Sequence, residues 1–298
     1  MPTNFPSGLS SYGIPLPSGA NLPTTTGKYF FVHSVTGSNG HSGDSPDRAL
    51  ATIMGAHALC TAAKGDTIIL MPGHTEAVIA AGTITLSKSG VRVVSLGTGT
   101  ARGTITYTTA AAASFDITGA NVLVQDVYFS GIGVDAVTAM INISAAGVTL
   151  RGCEIEHADA TNQAVLGVLT TAAATRLRIE DCHFTGTADA GTAAAIRLVG
   201  GDNCIIRGNR CMGNYTTTLG FIDNVTTAGQ QMFIIDNQIF NRTASAAVAM
   251  TFVATSDGVI SRNYMQVLTG TAPIVGANMS WVGGNYYAAT DATAGTLI

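Results

Sequence analysis

Residues 202–214 read DNCIIRGNRCMGN, a short apolar run surrounded by two cysteines, two glycines and three asparagines. Two interpretations compete for this stretch. It is either a reactive or metal-binding cysteine site, or one turn of a repeating architecture. Its centre follows the pattern apolar, x, apolar, x, x, anchor, x, apolar, in which Asn209 is the anchor. Recurrence of that pattern elsewhere in the chain decides between the two.

The pattern recurs as VLVQDVYF, VTLRGCEI, LRIEDCHF, CIIRGNRC, MFIIDNQI, GVISRNYM and, in degraded form, SWVGGNYY. Successive anchors are separated by 26, 29, 27, 28, 26 and 22 residues. A period of this length is typical of a solenoid. The anchors are Val127, Cys153, Cys182, Asn209, Asn237, Asn263 and Asn285.

A leucine-rich repeat has nearly the same pattern, but it needs another leucine eight residues before the anchor. Here that position is small or polar, from Gly119 in the first repeat to Ala277 in the last. The segments between anchors, such as AMINISAAG and AAIRLVGG, are rich in β-branched or alternating residues and lack helix caps. Each period therefore contains at least two strands, which predicts an all-β parallel β-helix.

Stacked coils place equivalent residues about 4.8 Å apart. The asparagine anchors are then expected to pass side-chain hydrogen bonds from coil to coil, each contributing about 1 kcal/mol. This predicted structural ladder consists of Cys153, Cys182, Asn209, Asn237, Asn263 and Asn285.

Four positions before the anchor, side chains are expected to point outward. In the C-terminal half these residues are Ile205, Phe233 and Val259. An exposed apolar stripe of this kind requires a cover. We therefore expect a homo-oligomer, for which elongated β-helices suggest a trimer by analogy.

The sequence divides into three parts. Residues 1–27 hold most of the prolines and read as an extended docking arm with apolar side chains at Phe5, Leu9, Tyr12, Ile14 and Leu16, although a disordered tail fits the same composition. Residues 28–287 form one β-helix domain, and residues 288–298 form a C-terminal tail. Near residues 46–63 a capping helix is expected to start after Ser45 and to place Leu50 and Cys60 on its apolar face.

Composition excludes several function classes. The formal net charge is −4 without a basic stripe, which argues against a nucleic-acid partner. No apolar run reaches the roughly 18 residues of a membrane helix, and the N-terminus does not resemble a signal peptide. The five cysteines lack paired metal-ligand spacing and are expected to be reduced and buried, so no metal or cofactor is predicted.

No catalytic group is predicted with a complete set of partners. The best alternative is Glu154, Glu180 and His183, which neighbouring coils bring near the anchors as an acid/base site. The main expectation is that these residues belong to a solvated ladder of alternating charge that also includes Arg151 and Arg207.

The segment GSNGHSGDSPDRALATI, followed by GDTIILMPGHTEAV and SGVRVVSLG, resembles the opening of pectate-lyase-like right-handed β-helix proteins. The resemblance covers about residues 28–287 and implies a right-handed coil with a capping helix. The start, NFPSGLSSYGIPLPSG, is similar to leaders of bacteriophage virion proteins, in which a short arm precedes a decoration, fibre or spike domain. The family's enzyme motifs have no matching position here.

Together these features predict a non-enzymatic virion structural protein, a capsid decoration, head fibre or spike. Its arm would dock on a major capsid or tail protein. Two alternatives remain: a tailspike-like polysaccharide depolymerase, either lyase or hydrolase, and an adhesin that binds host surface glycan without turnover.

Overall fold

The chain forms a right-handed parallel β-helix. This computed structural model describes residues 25–159, 162–186, 192–215, 220–224, 226–242, 248–267, 274–276 and 278–288, with short strands at 10–11, 14–15 and 296–297. The fold is all-β, as the repeat predicts.

The strands of the first part of the chain are β1 (Ser10–Ser11), β2 (Ile14–Pro15), β3 (Tyr29–Val32), β4 (Thr67–Leu70), β5 (Thr75–Val78), β6 (Ile84–Leu86), β7 (Arg92–Ser95), β8 (Thr104–Tyr107), β9 (Phe115–Ile117) and β10 (Leu123–Gln125). The middle strands are β11 (Tyr128–Ser130), β12 (Ile141–Ile143), β13 (Thr149–Arg151), β14 (Glu154–Ala158), β15 (Leu166–Thr170), β16 (Arg178–Glu180), β17 (His183–Gly186), β18 (Ala194–Leu198), β19 (Ile205–Arg207) and β20 (Arg210–Gly213). The last are β21 (Ile222–Asn224), β22 (Met232–Ile235), β23 (Gln238–Asn241), β24 (Met250–Thr251), β25 (Asp257–Ser261), β26 (Tyr264–Val267), β27 (Ile274–Val275), β28 (Asn278–Val282), β29 (Tyr286–Ala288) and β30 (Thr296–Leu297).

Each full coil contributes one strand to each of three sheets. Sheet 1 contains β3, β4, β7, β10, β13, β16, β19, β22, β25 and β28. Sheet 2 contains β5, β8, β11, β14, β17, β20, β23, β26, β29 and β30. Sheet 3 contains β6, β9, β12, β15, β18, β21, β24 and β27. Neighbours within these sheets are parallel except for β29 and β30, which are antiparallel.

The repeat pattern covers two of the three strands of each coil, one in sheet 1 and the next in sheet 2. A sharp corner in the backbone, just before the anchor, separates these two strands. In every coil from β10 onward the residue before the anchor has a positive φ, between 53° and 88°. This left-handed conformation suits glycine, and aspartate tolerates it better than most residues. The corner residues are Asp126, Gly152, Asp181, Gly208, Asp236, Arg262 and Gly284.

The core is a stack of equivalent apolar side chains inside the three sheets. Ile206, Ile234 and Ile260 are in register in β19, β22 and β25, and all three are fully buried. Burial of an isoleucine side chain contributes about 1.5–3 kcal/mol. The repeated inward positions therefore supply most of the driving force for folding.

The predicted helix at 46–63 is wrong in its extent. The structure has a 3₁₀ turn at Pro46–Arg48 and a separate α1 at Ile53–Leu59. Leu50 interrupts the helix because its backbone bonds to Phe31 and His33 and so joins the edge of sheet 1. Thr52, rather than Ser45, caps α1 by accepting from the Gly55 amide. The helix buries Ile53, Ala56 and His57 and packs against the first strands of sheets 1 and 3.

The two ends of the chain are described in part. In the arm, β1 and β2 pair antiparallel, so the chain folds back there instead of running straight. Thr25 Oγ1 donates to the Gly65 carbonyl and Lys28 N donates to Asp66 Oδ1 at 2.8 Å, which fixes the chain to the domain just before β3. At the other end β29 includes Ala288, one residue beyond the predicted boundary.

All five cysteines are free and buried, as the sequence predicts. Burial raises the pKa of Cys60 and of Cys204 to about 12. Burial also raises the pKa of Cys211, despite a hydrogen bond with the Tyr215 hydroxyl that lowers it. Cys204 and Cys211 fill apolar positions of the repeat, so residues 202–214 are one coil and not a reactive site.

Candidate functional site

The asparagine anchors form a continuous column of hydrogen bonds. Asn209 Nδ2 donates to Asn237 Oδ1 at 2.9 Å, and Asn237 Nδ2 donates to Asn263 Oδ1 at the same distance. Asn263 Nδ2 donates to Asn285 Oδ1 at 3.1 Å. Each amide also donates to a backbone carbonyl of the preceding coil, which for Asn209 is that of Ile179. The column is buried and has a structural role.

The cysteine anchors occupy the N-terminal end of this column. Cys182 N donates to Asn209 Oδ1 at 2.9 Å, so the ladder ends on a backbone amide. The Cys153 and Cys182 thiols contact backbone carbonyls of Arg151 and Glu180. Below them Val127 is buried at the same position without a polar group.

The alternative catalytic residues lie on two different sheets. Glu154 and His183 are register neighbours in β14 and β17 of sheet 2, whereas Glu180 belongs to β16 of sheet 1. The corner at Asp181 separates the two faces. Glu154 and His183 are therefore adjacent, but Glu180 lies on a different sheet.

Glu180 is fully buried beneath three arginines. Its carboxylate accepts from Arg151 Nη2 at 2.8 Å, and it lies 3.3 Å from Arg207 Nε and 3.5 Å from Arg178 Nη1. Burial disfavours the ionised carboxylate, but the three guanidinium groups outweigh that effect and hold its pKa below the usual value. This arrangement stabilises a carboxylate and leaves it a poor general acid or base at neutral pH.

Glu154 is also paired, with Arg102 Nη1 at 3.2 Å. The pKa of His183 is lowered by burial and by Arg210 and Arg102, while Glu154 opposes the shift. Among the described residues, no three His, Cys, Asp or Glu side chains are placed to hold a metal ion.

Two further ionisable residues of β14, Glu156 and His157, lie on opposite faces of sheet 2. Glu156 accepts from the Tyr128 hydroxyl on the outer face of sheet 2. His157 points into the core, where it stacks on Tyr215 with ring centroids 5.3 Å apart. Burial lowers the pKa of His157 to about 4, so the ring is neutral at pH 7.

The predicted outward stripe on sheet 1 is exposed at Phe233 and half-buried at Ile205 and Val259. Ile205, Phe233 and Val259 are in register in β19, β22 and β25, and Phe233 is 45% exposed. The structure adds Ile235 and Val282 from the neighbouring outward row, the latter 53% exposed. We call these five residues the sheet 1 patch.

The docking residues Phe5, Leu9, Tyr12 and Leu16 lie outside the described residues, and Ile14 is described only as part of β2. No helix in the described part of the chain has the length and apolarity needed to cross a membrane.

Sequence reasoning missed a charged pair on the outer face of sheet 3. Arg197 Nε donates to Asp223 Oδ2 at 2.7 Å, and Asp223 is fully buried. Burial raises the pKa of Asp223 although Arg197 opposes the shift. The sequence contains one charged residue inside each of the apolar strands AAIRL and IDN, and this pattern could have indicated the pair. Enclosure of Asp223 separates it from solvent and from a large substrate.

Sequence reasoning also missed an aromatic strip on the outer face of sheet 2. Tyr264 and Tyr286 each follow an asparagine anchor and are in register in β26 and β29. They are 41% and 44% exposed, and Phe240 packs beside Tyr264. In the sequence, a tyrosine directly follows each of the last two anchors. The low aromatic content of the whole chain made this pattern easy to overlook.

No family model matches the sequence, and no curated protein matches it. Solved structures share the fold. A rhamnogalacturonan lyase superposes with a TM-score of 0.57 at 14% identity, over 82% of this chain and 70% of the other. A pectate lyase gives 0.56 at 12% identity, over 90% and 81% of the two chains. A protein of Geobacillus virus E2 gives only 0.38 at 17% identity, over 79% and 57%. The two lyases establish the pectate-lyase-like β-helix and nothing about activity.

Proposed function

We propose that this chain is a non-enzymatic structural protein of a bacteriophage virion, a β-helical decoration, fibre or spike that assembles with copies of itself. The main observation in support of this proposal is the sheet 1 patch. Ile205, Phe233 and Val259 lie side by side on the outside of one sheet, and Ile235 and Val282 flank them in the next outward row, on either side of Ser261. A surface of this kind is stable in water when another protein covers it.

The occupant we assign to the patch is a second copy of the chain. In-register pairing aligns Ile205, Phe233 and Val259 across successive coils, so the same row of side chains in parallel copies can meet around a symmetry axis. A trimer places three such patches together. The arginines around Glu180 border the patch on its N-terminal side, because Arg178 and Arg207 are register neighbours of Ile205 and Ile235.

The carboxylates support a structural role over catalysis. Glu154 and Glu180 are held by Arg102 and by the arginine cluster, respectively, and they lie on separate sheets. A glycoside hydrolase of the usual type needs two carboxyl groups that flank one bond. These two residues do not meet that requirement.

The oligomeric state tests this proposal. Light scattering of the purified full chain is expected to give about three times the 30.4 kDa chain mass. Phe233→Asp is expected to reduce the mass toward one chain, because a carboxylate would be buried in the interface. Ile79→Asp is the control, since Ile79 is 53% exposed at the end of β5 and outside the patch. A monomeric wild-type chain, or an unchanged mass in Phe233→Asp, would contradict the proposal.

The attachment role of the arm has its own test. Deletion of residues 1–24 leaves the contacts of Thr25 and Lys28 with the domain intact. We expect the truncated protein to keep its oligomeric mass and melting temperature but to be absent from purified particles of the phage. Particles that contain the truncated protein in normal amount would show that attachment lies elsewhere.

A further inference from the structure

The last coil of sheet 1 ends in an open strand edge. On one side β28 pairs with β25 over five consecutive residues without a bulge. Within the described part of the chain, no strand pairs with its other side, so alternate backbone N–H and C=O groups of Asn278–Val282 face outward along the helix axis. The end of sheet 2 differs, because β30 covers β29 there.

The side chains at this edge carry no charge. Trp281 is the register neighbour of Ile260, which is fully buried in the core, yet Trp281 is 42% exposed because no described coil stacks on it. Val282 beside it is 53% exposed. Residues 263–290 contain no Asp, Glu, Lys or Arg, and β28 contains no proline. Natural sheets protect an open edge with charges, prolines or bulges, and this edge has none of these.

The opposite end of the β-helix is closed. The outer edge of β3 is bonded to residues 43–50, because Phe31 N donates to the Gly43 carbonyl and Leu50 N donates to the Phe31 carbonyl, both at 2.8 Å. A second copy cannot add its first coil to the open edge without breaking these bonds, which disfavours an open head-to-tail filament. Two copies that share the open edge therefore meet tail to tail.

We propose that β28 pairs antiparallel with β28 of a second copy, so that two β-helices join tail to tail about a two-fold axis at Ser280. The edge is self-complementary in this arrangement. Ser280 lies opposite Ser280 of the second copy, and Met279 lies opposite Trp281 of the second copy. No like charges meet, and each Trp281 is covered by the last coil of the other copy. Antiparallel addition already occurs at this end of the chain, where β30 pairs with β29.

This end contact is separate from the sheet 1 patch and goes beyond the proposed structural role. The patch lies on the outer face of sheet 1, whereas the end contact uses the backbone of the last strand, and Val282 is the one residue common to both. A five-residue edge is small beside the surface that stable interfaces bury, so the contact is weak and requires concentrated protein. It doubles the mass of whichever unit the patch forms.

Sedimentation velocity of the full chain at rising concentration tests the end contact, from about 1 µM to about 1 mM, a range suited to a weak interface. We expect the mass at the highest concentration to be twice that in dilute solution. Trp281 is the only tryptophan, so its fluorescence reports the same event. Its emission should move to shorter wavelength with the same midpoint, because the indole loses contact with water. A constant mass, or an indole that stays in water at every concentration, overturns the proposal and leaves the edge to a strand of another protein.

Substitution at the two-fold axis tests the register. Ser280→Lys and Ser280→Asp each place like charges directly opposite one another, so each variant alone should keep its dilute mass. An equal mixture of the two variants brings opposite charges together and should double in mass as the wild type does. Val35→Lys adds a lysine near the closed end, where Val35 is 81% exposed, and should also double. Doubling by either Ser280 variant alone, or no doubling by the mixture, overturns antiparallel pairing at Ser280.

Two further measurements keep the end contact distinct from assembly through the patch. Circular dichroism and melting temperature establish that each variant is folded. Phe233→Asp should still double from its own dilute mass, because Phe233 lies outside β28. A wild-type chain that is monomeric in dilute solution but doubles on concentration contradicts only the patch, and a trimer that never doubles contradicts only the end contact.

Discussion

The side-chain amide of Asn237 donates to Oδ1 of Asn263 across 2.9 Å, one coil further along the β-helix. On its other side, the Oδ1 atom of Asn237 accepts hydrogen bonds from the backbone amide and the side-chain amide of Asn209. One residue thus satisfies buried polar groups in the coils on both sides. Because every partner is buried, the ladder fixes the register of successive coils as well as adding stability.

Replacement of Asn237 by alanine is expected to destabilise the protein by about 3 kcal/mol or more. It leaves the Ile206 carbonyl and the Asn209 amide without buried partners, and each orphaned group costs about 1–3 kcal/mol. Urea unfolding measures the loss. Gln238→Ala is the control, because Gln238 is the exposed next residue, and we expect a change within about 0.5 kcal/mol. Equal effects of the two substitutions would refute a stabilising ladder.

The corner at Gly208 gives a second prediction. Its φ is +65°, and an added Cβ would lie 2.4 Å from Asp181 Oδ1. Gly208→Ala should therefore lower the free energy of unfolding by at least about 1 kcal/mol. Gly283→Ala is the matched change, since nothing lies within 4 Å of its Cβ position and its φ is not in the left-handed region. Equal melting temperatures for the two variants would argue against strain at the corner.

Glu180→Gln should destabilise the protein by about 1–3 kcal/mol at pH 7, because three arginines lose their buried carboxylate. Asp236→Asn is the control, since the Asp236–Arg262 pair is exposed and water screens such pairs, so we expect little change in stability. The folded-state pKa of Glu180 is lowered. Its contribution is present above the unfolded value of about 4.3 and is lost as pH falls through the folded value. If Glu180→Gln is less stable than the wild type by the same amount at low pH, the ion cluster is not the cause of the lost stability.

Protonation of His157 should give the folding stability a second dependence on pH. Burial lowers its pKa to about 4, whereas an unfolded histidine titrates near 6.5. The unfolded chain therefore binds a proton first, and stability should fall by about 3 kcal/mol between pH 6.5 and 4. His157→Phe keeps a ring against Tyr215 and should remove this part of the pH dependence. Chemical unfolding at several pH values measures it, and identical profiles for wild type and variant would contradict the prediction.

The cysteines of residues 202–214 should resist labelling in the native protein. Cys204 and Cys211 are fully buried, and burial raises the pKa of both thiols. A thiol reagent at pH 8 should modify them only as fast as the protein unfolds. Ser280→Cys introduces an exposed thiol on β28 as the positive control. Rapid labelling of Cys204 in the wild-type protein would show that it faces solvent.

The periodic anchors determine the β-helix and its inward positions, because stacked coils repeat one local environment and the residue that fits one coil fits the next. The asparagine ladder, the buried thiols and the outward position of Phe233 follow from that periodicity. The helix limits do not, because the backbone bonds that hold Leu50 come from residues near 31–33, a distant partner that local helix signals do not reveal.

Only the tertiary structure decided which side chains share a face. Glu154 and Glu180 are close in the repeat but separated by a backbone corner, whereas Tyr264 and Tyr286 are 22 residues apart and stack. Asp223 shows the same limit, since its enclosure beside Arg197 depends on the packing around sheet 3. The sequence alone determined the coil because its forces are local and repeated. Which side chains share an outer surface depends on the direction of the chain at each corner, which only the folded molecule defines.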